Sequence, residues 1–114
     1  MFSAIAIVDN IYEGSVIKMD KQEAQEILNI EIIKHRSIEY VDLATLIDTP
    51  LNYEVQATSG IMYQIEIQAF WDNPRDPNGD IRVIASIDDG RYPHAFKPLS
   101  SDFIIGSDGL FVGE

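Results

Sequence analysis

Residues 61–71 read Ile61-Met62-Tyr63-Gln64-Ile65-Glu66-Ile67-Gln68-Ala69-Phe70-Trp71. Tyr63, Ile65, Ile67, Ala69 and Trp71 fall on one side of a period-two pattern, and Met62, Gln64, Glu66, Gln68 and Phe70 on the other. Successive side chains of a strand point to opposite faces, so this is a strand with one wholly apolar face. That face needs cover. The second face is polar in its middle and meets water or a polar partner.

The pattern continues outward in both directions. Ile81, Val83, Ala85 and Ile87 alternate with Arg82, Ile84, Ser86 and Asp88, which predicts a hairpin with the first strand. Its closure is either the turn pair Asn78-Gly79 or the longer loop from Pro74 to Gly79. On the other side, Tyr53, Val55 and Ala57 alternate with Glu54, Gln56 and Thr58 before a turn at Ser59-Gly60. Weaker strands are expected at 95–99 and 103–105, with a terminal one at 110–112 across Ser107-Asp108-Gly109. The opening run 3–8 and residues 15–19 are β-prone too, with turn formers between them.

The cover for the apolar face comes from helix. Asp20 suits an N-cap, and Glu23 three residues later gives a capping-box-like pattern. Ala24, Ile27 and Leu28 line one side at helical spacing, and the helix is expected to fade near Asn29. Between residues 30 and 40 the β-branched Ile30, Ile32 and Ile33 leave helix and strand both open. A short second helix fits Val41, Ala44 and Ile47, ended by Asp48-Thr49-Pro50, because the residue before a proline avoids the helical region. The expected fold class is α+β: an antiparallel sheet of four to six strands with one or two helices packed on one face, in a single domain spanning 1–114.

The chain has 114 residues, with 8 Lys+Arg against 19 Asp+Glu, a net charge of −11. An apolar fraction of 46% is too high for a disordered acidic tail, so folding is expected. The acids are spread through the whole chain and the basic residues stand singly, which argues against a patch that releases counterions from nucleic acid and disfavours an anionic membrane. No apolar stretch reaches the length of a membrane span, and residues 2–8 lack the basic flank of a signal peptide. There is no cysteine, which removes disulfides, thiolate nucleophiles and cysteine-based zinc sites. A cytoplasmic location is the expectation, with no cofactor and no metal.

Two polar clusters are candidates for chemistry. In 72–80, Asp76, Asn78 and Asp80 alternate as at the start of a calcium loop. Ile81 and Ile87 then stand where such a loop needs its glycine and its bidentate glutamate, which favours a proline-stiffened hairpin loop. The second cluster joins Asp88, Asp89 and His94. Paired carboxylates with an imidazole could serve acid–base chemistry, but neighbouring residues of an extended chain point apart, and Asp89-Gly90 suits a turn. No nucleophile elbow and no phosphate-binding glycine loop occurs.

Phe70 and Trp71 are adjacent in one strand, so one ring is exposed unless both faces are covered. The aromatic segment with Phe96, Phe103 and Phe111 is the alternative cover. Exposed rings beside Asp72, Asp76 and Asp80 make an interface composition. The favoured function is therefore a non-catalytic, small acidic protein-binding module, a regulator or inhibitor that docks a basic protein surface. In size and charge alone it is comparable with immunity proteins, antitoxins and phage-encoded inhibitors. The alternatives are a small-ligand or metal-dependent enzyme using Asp88, Asp89 and His94 at a sheet-end cleft, and a homo-oligomer formed through the sheet.

Overall fold

A computed structural model describes residues 20–91 and 98–114. Helix α1 (Lys21–Arg36) and helix α2 (Tyr40–Ala44) precede four strands: β1 (Leu51–Gln56), β2 (Met62–Trp71), β3 (Ile81–Asp88) and β4 (Leu99–Ile105). The strands form one antiparallel sheet in the order β1-β2-β3-β4, so each pairs with its neighbour in sequence. This is the expected α+β arrangement. The β-prone segments 3–8 and 15–19, and residues 95–97, lie outside the described residues.

The apolar face of β2 is the floor of the core. Tyr63, Ile65, Ile67 and Ala69 are buried, and so are Ile81, Val83, Ala85 and Ile87 of β3 and Phe103 and Ile105 of β4. Ala24, Leu28 and Ile32 of α1 and Leu43 of α2 belong to the same cluster, so both helices cover this one face. Removing that much aliphatic surface from water is the main favourable contribution to folding.

Helix α1 starts where expected. The Asp20 carboxylate accepts the Glu23 backbone N–H at 3.0 Å. The expected reciprocal half of the capping box is replaced, because the Glu23 carboxylate accepts instead from the Ser59 hydroxyl at 2.7 Å and the Tyr63 hydroxyl at 3.1 Å. The start of the helix is thereby tied to the β1–β2 turn. Asp20→Ala should lower stability by about 1 kcal/mol, read from the midpoint of chemical denaturation. An unchanged midpoint would show that Glu23 alone anchors this end.

The end of α1 corrects the expected fading at Asn29: the helix continues to Arg36. Its buried stripe runs Ala24, Leu28, Glu31, Ile32, His35, spaced by helical turns. Two polar residues occupy the second half of that stripe, which breaks the apolar pattern without breaking the helix. Ile30 and Ile33 lie off the stripe and are exposed.

Helix α2 is shorter than expected. Beyond Ala44 the N–H groups of Thr45, Leu46 and Ile47 bond the carbonyls of Asp42, Leu43 and Ala44, so the last turn tightens to three-residue spacing before Pro50. Strand β1 then begins at Leu51, two residues earlier than the alternation suggested. The expected strand at 110–112 is reduced to a single bridge, Ile105 to Phe111. The β2–β3 hairpin closes through the longer loop. Asp72 N–H bonds Asp80 C=O at 2.8 Å, with inner turns from Asp76 N–H to Asn73 C=O and from Gly79 N–H to Asp76 C=O. Asn78 holds a left-handed φ of 69°, a conformation asparagine tolerates better than most residues.

Candidate binding face

With both helices on one side, the other face of the sheet is left without cover among the described residues. Strand register places its side chains. Phe70 of β2 lies opposite Arg82 of β3, which lies opposite Ile104 of β4. In the next row Gln68, Ile84 and Asp102 are neighbours. Further along, Glu66 stands between Asn52 and Ser86, and Gln64 between Glu54 and Asp88.

The two ends of this face differ in chemistry. At one end Phe70 is 47% exposed, with Ile84 and Ile104 half-buried nearby. Arg82 stands among them and is neutralised: it pairs with Asp102 and, at 3.1 Å, with Asp72. Both carboxylates, Asp102 first, raise the guanidinium's pKa above its ordinary value. At the other end Glu54 accepts the Gln64 side-chain amide at 2.9 Å, and Glu66 accepts that of Gln68 at 3.2 Å. Glu54, Glu66 and Asp88 form no ion pair among the described residues. Asp72, Asp102, Glu54, Glu66 and Asp88 against Arg82 leave the face with a formal charge of −4.

The residues singled out from sequence are divided by the fold. Phe70 and Asp72 share the open face. Trp71 points to the helix side and packs against the core. Asp76 and Asp80 belong to the loop that Tyr40 holds by donating its hydroxyl to Gly79 C=O at 2.7 Å. Burial raises the Tyr40 pKa, and the charges of Asp80 and Asp76 add to the rise. Neither Phe103 nor Phe111 covers Phe70, and Phe96 lies outside the described residues. Phe103 and Phe111 meet edge to face at 5.8 Å, with the Arg36 guanidinium 3.9 Å from the Phe111 ring centre. Arg36 also grips the Glu114 carboxylate through two bonds of 2.5 Å.

In the second cluster, Asp88 accepts Gly90 N–H at 2.6 Å and Asp89 accepts Arg91 N–H at 3.0 Å. Both shape the turn after β3. His94 lies outside the described residues. Among the described residues no three His, Asp or Glu side chains gather closely enough to hold a metal ion, and no helix is long and apolar enough to cross a membrane.

One polar group escaped the sequence reading. Glu31, 4% exposed, accepts the Tyr53 hydroxyl at 2.6 Å and the Lys34 ammonium at 3.0 Å. Burial alone would raise its pKa, but these two donors, the Lys34 charge and nearby His35 together hold it below the ordinary value. His35, also buried, bonds through Nδ1 to Glu31 C=O at 2.8 Å; a carbonyl only accepts, so Nδ1 carries a proton. The helical spacing of 24, 28, 31, 32 and 35 was the signal for this pair. A groove of about 420 Å³ also opens between the α1–α2 junction and the 106–109 turn, walled by Ile38, Tyr40, Val41 and Phe111.

No protein family, curated protein or solved structure matches this chain.

Proposed function

We propose that this chain is a non-catalytic protein-binding module that docks a basic surface of its partner through the open face of the sheet. The observation that carries this reading is the face that no described residue covers: Glu54, Glu66 and Asp88, without an ion pair among the described residues, beside half-exposed Phe70, on a chain of charge −11. Carboxylates already oriented by amides accept strong charge-assisted hydrogen bonds from lysine or arginine. A large ring next to them supplies the apolar anchor around which binding energy concentrates. The wide negative field speeds encounter with a basic partner more than it tightens the complex.

The test joins cross-linking in native cells to measured kinetics. A partner captured by the natural chain is purified, and its association rate is measured at low and high salt. The rate should fall steeply as salt screens the field, and the triple variant Glu54→Gln/Glu66→Gln/Phe70→Ala should lose most of its binding. A captured partner bound as tightly by the triple variant, or with a salt-insensitive association rate, overturns the reading.

A further inference from the structure

We propose that the open face reads its partner with a fixed polarity: an apolar side chain of the partner seats on Phe70, Ile84 and Ile104, while a lysine or arginine about 13 Å away engages Glu66 and Glu54. This rests on the docking reading above and adds a direction and a spacing to it. The spacing follows from the strand, because Phe70 and Glu66 lie four residues apart on one face of β2, at roughly 3.3 Å per residue.

The direction follows from where the charges are already satisfied. Arg82 lies directly between Phe70 and Ile104 in the register, and it occupies the carboxylates of Asp72 and Asp102. A partner cation brought to that end meets a resident guanidinium and two acids already engaged. At the other end Glu54 and Glu66 each take one amide hydrogen, from Gln64 and Gln68. Each retains lone pairs for a further donor. The amides hold both carboxylates in place, so little side-chain freedom is lost when a cation arrives. A partner presented the other way round sets its cation beside Arg82 and its apolar group over carboxylates. Both placements cost free energy, and that cost gives selectivity. Charge complementarity therefore selects a basic protein segment with a separate apolar anchor. A second copy of this chain, equally acidic, is disfavoured.

The probe is a synthetic peptide with one tryptophan joined through a glycine spacer to a run of lysines, with a nitroxide tag at the tryptophan end. It is titrated into the isotope-labelled full chain and followed by backbone amide NMR. The signals of Phe70, Ile84 and Ile104 should broaden strongly and those of Gln64 and Asp88 weakly. In the Glu54→Gln/Glu66→Gln variant the affinity should fall about tenfold. Phe70→Ala should still bind but lose the unequal broadening. Equal or reversed broadening across the face overturns the polarity and leaves the docking reading standing. Peptide-induced shifts confined to other surfaces, or none, overturn both. Met62, 41% exposed on the same face, gives a second readout in the free chain. Its thioether should be oxidised by peroxide nearly as fast as free methionine. Strong protection would mean that the chain itself or a second copy already covers the face, and that too overturns the proposal.

Discussion

Leu28→Ala lowers the stability of the fold by about 3 kcal/mol and its Tm by roughly 10 °C. Leu28 has no exposed surface and sits at the middle of the α1 stripe, between Ala24 and Ile32. Its truncation removes buried methyl groups and leaves a cavity. The sheet below cannot close it, because β2 and β3 are fixed by hydrogen bonds on both sides. Ile33→Ala on the same helix is the control: Ile33 is 65% exposed, and its loss should change stability by less than about 0.5 kcal/mol. Thermal and urea denaturation of the two variants measures the contrast. Equal effects would mean that α1 packs on a different face.

The second large effect belongs to the buried carboxylate. Glu31→Ala should cost about 2 kcal/mol, since it strands the Tyr53 hydroxyl without its acceptor. The double change Glu31→Leu/Tyr53→Phe removes both polar groups together and should recover most of that loss. The pH dependence has a definite sign. Glu31 titrates below its ordinary 4.5 in the folded chain, so the folded state binds fewer protons there than the unfolded state. Its contribution is present above pH 4.5 and is lost as pH falls through the depressed value. At the alkaline end the sign reverses. Burial, then the Glu23 hydrogen bond and charge, push Tyr63 up to about 12 from an ordinary 10.0. That contribution is intact below pH 10 and disappears as pH rises through 12. Burial and Glu31 raise Tyr53 as well. Urea midpoints followed across pH should flatten on the acid side in Glu31→Gln and on the alkaline side in Tyr63→Phe. Unchanged slopes in both variants would remove these groups as the source.

The central hairpin was readable because burial there follows the backbone's own period. Every odd residue from Tyr63 to Ala69 and from Ile81 to Ile87 is buried. The opposite pointing of Phe70 and Trp71 follows from the same rule. The second half of α1 was not readable, because Glu31 and His35 replace apolar residues in its stripe, and only their partners across space explain the burial. The apolar end of the open face depends on register. Phe70, Ile84 and Ile104 come from three strands, and nothing local in the sequence says that they meet. Proximity in sequence misled in the other direction: Asp76 and Asp80 lie close to Phe70 along the chain, yet they belong to the loop whose Gly79 carbonyl the Tyr40 hydroxyl of α2 holds.

The sequential strand order also bears on how the chain acquires its structure. Each ladder joins strands that follow one another in sequence, with at most ten residues between them, so closing it costs little chain entropy. The β2–β3 ladder is the longest and closes around the 72–80 loop. It can zip up first, with β1 and β4 added one at a time at its margins. The helices precede the sheet in the chain and have no floor to rest on until those strands assemble. Sheet assembly and helix docking are in this way a single cooperative event, and topology of this local kind favours rapid folding.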